Sequence, residues 1–219
     1  MSEYKITIKL ESNCMLGAGE GWGSVIDADI VFDNVGLPYL PARRLKGCLR
    51  ESAKEVLEMM ECAGIKKFES QIIDKVFGCS GDATGAGIVF NNLYLPNYKD
   101  VYDWCKWALQ ECNSAVSPEI IVNSFTSIKQ QTSINNEGIA DDKSLRTFRV
   151  LKRGIEFEGA VNIKEEDKEA VDLLALACLN LRYIGTMRNR GYGKIVCRFK
   201  KGNEDLSQSC IEQIEREAI

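Results

Sequence analysis

"PYLPARRLKGCLRESAKEVLEMMECAG", residues 38–64, decides how the rest of the chain is read. Its two prolines break whatever precedes them. From there Leu45, Leu49, Ala53, Val56, Leu57 and Met60 recur at steps of three and four, one face of an α-helix that Gly64 closes. Ahead of it "EYKITIKL" (3–10) alternates polar and apolar residues as a half-buried strand does, and "ADIVF" (28–32) gives a second short β segment. Behind it come a strand at 86–95, a helix at 101–112, a strand at 119–129 and a long polar stretch. A strand at 155–163 follows, then a second amphipathic helix from Glu165 to Arg182 with Val171, Leu174, Cys178 and Leu181 on its apolar face. A last strand at 194–199 leads into a charged tail of helical character. Without insertions the order is strand, helix, strand, strand, helix, strand, which predicts an α+β fold with a ferredoxin-like core. That topology offers a sheet face and end loops to single-stranded nucleic acid. The 219 residues suit one domain carrying insertions.

Composition removes several function classes. The chain has no histidine, which excludes His-based triads, imidazole acid–base chemistry and nearly all zinc sites with nitrogen ligands. Its nine cysteines form no C-x-x-C pair and several fall on apolar faces, as reduced core thiols do. "GAGEGWG" (17–23) approaches a dinucleotide fingerprint, but Trp22 stands where the last glycine belongs and no helix pattern follows. The N-terminus lacks the unbroken apolar core of a secretory signal, and no apolar run could span a bilayer. A cytoplasmic protein with no membrane partner is expected.

Against a net charge of −4, positive charge is concentrated in two glycine-bearing stretches. Arg43, Arg44, Lys46 and Arg50 sit on the opening turns of the first helix, where free N–H groups and the helix dipole already favour an anion. "GTMRNRGYGK" (185–194) sets Arg188, Arg190 and Lys194 among three glycines that would let a ligand approach the backbone. In a split βαβ order the loop before the last strand lies near the start of the first helix, so the two stretches would make a phosphate track. The polar segment 124–154 is long for a compact domain and reads as a protruding hairpin, with Lys129 among its exposed cations.

Taken together, these segments resemble the RAMP superfamily of CRISPR-associated proteins, in particular the backbone subunit of Csm- and Cmr-type type III effector complexes. "PYLPARRLKGCLR" (38–50) is similar to the family's "PYIPGSSLKG..R" helix start. The stretch from Thr126 through Gly159 follows a second family pattern, and "RGYGK" (190–194) matches the glycine-rich motif near the end. Ala42-Arg43-Arg44 replaces the family's small Gly-Ser-Ser, and Met187-Arg188-Asn189 replaces smaller residues. The resemblance implies an RNA-recognition-motif-like core that binds guide (CRISPR) RNA through Arg43, Arg44, Lys46, Arg50, Lys129, Arg188, Arg190, Tyr192 and Lys194. It also implies a thumb at about 125–149, other effector subunits and further copies of the chain as partners, and target single-stranded RNA as substrate.

The family's cleaving aspartate precedes the "P.IPG" motif, and Asp27 in "VIDADIVFDNVGLPYLP" occupies that position. It would be catalytic by holding a divalent ion, Mg²⁺ or Mn²⁺, through oxygen, with water and RNA phosphate completing the shell. Asp33 fits a turn residue before "NVG". The alternative is a structural subunit that binds guide RNA without cleaving. A guide-processing endonuclease acting alone by acid–base chemistry is opposed by the missing histidine.

Overall fold

The computed structural model describes residues 4–17, 29–69, 71–79, 87–113, 115–164 and 167–217. In chain order they form β1 (Tyr4–Leu10), α1 (Ala42–Cys62), α2 (Ile72–Phe77), β2 (Ile88–Phe90), α3 (Tyr98–Glu111), α4 (Pro118–Phe125), β3 (Thr126–Gln131) and β4 (Arg146–Leu151). Then come β5 (Glu156–Ile163), α5 (Lys168–Asn180), β6 (Ile195–Lys201), β7 (Glu204–Asp205) and α6 (Leu206–Glu217). The fold is α+β. One antiparallel sheet has the order β2-β5-β1-β6-β7, and β3 pairs with β4 in a separate hairpin.

Alternation along the strands decides which sheet face is covered. Tyr4, Ile6, Ile8 and Leu10 of β1, Phe157 and Val161 of β5, and Ile195, Cys197 and Phe199 of β6 are buried in one core with Leu45, Leu49, Ala53 and Val56 of α1 and with α5. α5 is buried on most sides because it packs against α1, α2, α6 and β6. The opposite face carries Lys5, Thr7 and Lys9, Glu156 and Glu158, and Val196 and Arg198, laced by the Lys5–Glu158 (2.6 Å) and Lys9–Glu156 (3.2 Å) ion pairs. Tyr94, bridged to Glu158, adds an aromatic ring at the edge of that face, where it packs against Tyr39 and Tyr98.

Two sequence expectations change. The segment 119–129 begins as a helix: the Ser117 side chain accepts from the Ile120 N–H, Pro118 occupies the first turn, and the strand starts only at Thr126. Lys152 closes that helix by donating to the carbonyls of Asn123 and Ser124. A short apolar run is ambiguous between helix and strand, and here the cap decides. At 28–32, Ile30 and Phe32 make only isolated bridges to Gly17 and Pro38. Most of "GAGEGWG" and Asp27 lie outside the described residues.

Asp33 is the turn residue its position suggests. Its Oδ1 accepts from the Val35 and Leu37 N–H groups (3.0 and 2.8 Å), and its Oδ2 accepts from the Tyr98 hydroxyl (2.8 Å). Burial and then that bond push the Tyr98 phenol far up. Tyr98 belongs to a row of rings, Tyr39, Tyr94, Tyr98 and Tyr102, each against the next. The row joins α3 to the segment leading into α1.

Candidate nucleic-acid interface

The first turn of α1 contains no acidic residue, and its N-cap, Pro41, offers no side-chain acceptor. The Ala42 N–H is satisfied from elsewhere, by Asn92 Oδ1 at 2.8 Å. Arg43 and Arg44 stand at the positive end of the dipole, an arrangement that costs about 0.3–1 kcal/mol per charge unless an anion is near. Arg43 is exposed; Arg44 and Lys46 are half-buried. Arg50, two turns on, pairs with Asp74 of α2 at 3.0 Å.

The loop 185–194 is folded on itself before it meets any ligand. Gly185 (φ +81°) and Gly193 (φ +75°) are in the left-handed region, and a Cβ on them would collide with the carbonyls of Met15 and Ile184 respectively. These two glycines are thus required by close contact within the chain, which corrects the expectation that they are bare for a ligand. Between them Arg188–Arg190 forms a single 3-10 turn. Arg188 Nε donates to the Gly185 carbonyl at 3.0 Å and its side chain stays exposed. The Lys194 N–H donates to Ser12 Oγ, which ties the loop to the end of β1.

Helix start and loop converge. The buried Cys14 thiol is pushed up to about 12 by burial and then by the neighbouring Cys48, while Arg44 and Arg188 both pull it down. The Cys48 thiol, raised by burial, feels the same two arginines. The hairpin joins them: Arg190 Nη1 donates to Gln131 Oε1 of β3 at 2.8 Å, and the Tyr192 ring meets Phe148 of β4 edge-on at 6.1 Å. Met15, Phe148 and Val150 form a small core beneath, covered by Met187 and Tyr192. Lys129 is exposed on β3. Of the expected residues, Arg44 and Arg188 therefore act on the same two thiols, Arg190 and Tyr192 join the loop to the hairpin, Arg43 and Lys46 share the helix start with Arg44, and Lys194 ends the loop. Lys129 projects along the hairpin and Arg50 faces α2.

One pair escaped the sequence reading. Asp29 and Arg149 are each only 6% exposed. Arg149 Nη1 donates to both Asp29 oxygens, at 2.9 and 3.2 Å, and the guanidinium lies 5.9 Å from the Phe32 ring centre. The pair fastens β4 to the segment that follows Asp27, and with its members 120 positions apart no local pattern announces it. Asp29 and Asp33 are thus both committed to the fold. Among the described residues no group of three or more Asp, Glu, Cys or His side chains could hold a metal ion.

The RAMP superfamily model matches residues 8–196, which spans every element of this site. The chain belongs to the RAMP superfamily. This RAMP protein is 22% identical over 205 residues to the CRISPR endoribonuclease Csm3 of Streptococcus thermophilus, covering 88% of the chain and 85% of the relative. Its fold is similar to chains in solved structures of a type III-B Cmr-beta complex. In the apo state the TM-score is 0.63 at 14% identity, with 91% of this RAMP chain and 98% of the other covered. Bound to cognate target RNA, the values are 0.65 and 13%, with 91% and 97% covered.

Proposed function

We propose that the chain is a guide-RNA-binding backbone subunit of a type III CRISPR ribonucleoprotein and that it cleaves target RNA at Asp27. The observation that carries this reading is that Arg44 of α1 and Arg188 of the 185–194 loop act on the same buried thiol while Arg190 ties that loop to the hairpin. A cationic helix start without an acidic cap needs an anion, and a sugar–phosphate backbone supplies one at each nucleotide. The names of the similar proteins, an endoribonuclease and a complex bound to target RNA, support RNA as that anion. In this reading the order β2-β5-β1-β6, with α1 and α5 as crossovers, is a ferredoxin-like, RNA-recognition-motif-like core, and residues 125–149 are the thumb. Guide RNA, target RNA, other effector subunits and further copies of the chain are its partners in the cytoplasm.

For cleavage, Asp29 is committed to Arg149 and Asp33 to its turn, and the assignment of Asp27 rests on its match to the family position ahead of "PYLP". One carboxylate fits Mg²⁺ or Mn²⁺, which keep several waters and take phosphate oxygens as ligands. When bound, such an ion stabilises the charge developing at the scissile phosphate. The chain's own part is to hold the guide by its arginines and to fix the approach of the target strand with the hairpin, so that a ribose hydroxyl lines up with its phosphate.

The test is a reconstituted complex. Asp27→Ala and Asp27→Asn should keep guide and target binding and lose divalent-dependent cleavage. Arg188→Ala with Arg190→Ala should weaken binding across all sequences and lower the salt slope by about 1.4, at roughly 0.7 per single-strand phosphate contact. Normal cleavage by both Asp27 variants would leave a structural, non-cleaving subunit as the better account.

A further inference from the structure

Two tryptophans stand in the open on one face of α3. Trp104 is 59% exposed and Trp107 53%. Side chains three residues apart on a helix are neighbours, so the two indoles make one patch. A single exposed apolar side chain is ordinary, but two adjacent indoles left in water mark a surface that meets a partner. The helix is held so that this face stays outward. Cys105 and Ala108 are buried on its inner side, and Val101 and Leu109 pack half-buried against the core. The Tyr98 and Tyr102 hydroxyls, one turn apart, donate to Asp33 Oδ2 (2.8 Å) and Asn34 Oδ1 (3.1 Å). Those bonds fix the rotation of α3 about its axis, so the patch is presented ready-formed and little ordering is left to docking.

The charges beside the indoles describe what docks. Asp100 lies one turn before Trp104, Asp103 one turn before Trp107 and Glu111 one turn after it, and all three are exposed. Lys99 and Lys106 stand further round the helix. Single-stranded RNA stacks on rings set in a positively charged groove, and here its phosphates would meet carboxylates. A second copy presenting the same face would set carboxylate against carboxylate. A guanidinium suits both parts of the patch: its flat face stacks on indole, and its N–H groups pair with carboxylate oxygens.

We propose that the outer face of α3 is a docking surface for a protein partner, and that it takes a segment in which arginine alternates with apolar residues. A guanidinium of that segment lies over Trp104 or Trp107 and turns its edge to Asp100, Asp103 or Glu111. The surface shares no residue with the cations assigned to RNA, so it stands or falls apart from them. The test is fluorescence anisotropy of the full chain at about 0.15 M salt, where attraction by net charge is screened beyond about 8 Å. Three labelled probes are used: a peptide of about 12 residues repeating Arg-Leu-Ser, the same peptide with Glu for Arg, and an rU strand of about 12 nucleotides. The wild type should bind the arginine peptide about tenfold more tightly than the glutamate peptide. Trp104→Gln with Trp107→Gln should weaken the arginine peptide about tenfold, and Asp100→Asn with Glu111→Gln about fivefold, with melting and rU binding unchanged. Glu212→Gln with Glu215→Gln removes as much charge from α6 and should leave peptide affinity as in wild type. A wild type without preference for the arginine peptide, a tryptophan variant that binds it normally, or an equal loss in the α6 variant overturns the proposal. Loss of rU binding in the tryptophan variant would give the face to RNA, and a wild-type dimer that this variant abolishes would give it to a second copy; either result overturns the proposal as well.

Discussion

Replacing Arg149 by methionine tests whether the Asp29–Arg149 pair holds the hairpin to the body of the protein. The variant keeps most of the apolar stem and removes the guanidinium, so the Asp29 carboxylate, 6% exposed, keeps among the described residues only the adjacent Ile30 N–H at 2.8 Å. Breaking one side of a buried ion pair costs about 3–5 kcal/mol, because the remaining charge has lost water and partner together. At about 2–4 °C per kcal/mol for a chain of this size, melting should fall by roughly 6–20 °C. Removing both charges, Asp29→Leu with Arg149→Met, leaves no orphan and should recover most of the loss, since apolar replacement of a whole buried pair is often neutral. Urea denaturation of wild type, both single variants and the double variant completes a mutant cycle with an expected coupling above ~2 kcal/mol. Single variants within about 1 kcal/mol of wild type, or a double variant as unstable as the sum of the singles, would refute the reasoning.

Gly193→Ala should destabilise by more than ~2 kcal/mol, since it adds a backbone collision to an unfavourable φ, whereas Gly191→Ala, with φ +80° and open space, should cost about 1 kcal/mol; paired thermal melts compare them. Asp167 caps α5 by accepting from the Glu169 N–H and pairs with Lys75 at 2.6 Å, and its carboxyl is held below its ordinary value by the bond to Lys75 and by backbone N–H groups. Asp167→Ala should therefore cost ~1 kcal/mol near neutral pH, and the gap to wild type should persist above the ordinary carboxylate range and close as pH falls through the lower folded value, followed by denaturation across pH. Asp33→Ala orphans two turn N–H groups and the Tyr98 hydroxyl and should cost about 2–3 kcal/mol in urea titration, with RNA affinity unchanged.

What the sequence disclosed was whatever repeats at short range. α1 was legible because Leu45, Leu49, Ala53, Val56 and Met60 all face the core, and they are indeed buried. The arginines of 185–194 were legible as charge, but the reason for Gly185 and Gly193 was not, because it lies in carbonyls 170 and nine residues away. "EIIVNSF" misled because its β-branched residues carry strand propensity, while Ser117 and Pro118 ahead of it start a helix. The Asp29–Arg149 pair is invisible to any window, and an arginine in "RTFRVL" looks like an exposed strand residue until β4 is found buried on both faces.

The cap on α1 also bears on how the protein is made. The acceptor for the Ala42 N–H arrives 50 residues later, on Asn92, after β2. At about 5–20 residues per second, a ribosome leaves the helix start without its acceptor for seconds after the helix itself has been synthesised. During that interval the end of α1 carries its cations without the neighbours that orient it, since β5, the hairpin and the 185–194 loop are later still. The neighbours that orient the start of α1 are therefore complete only when the chain is nearly finished.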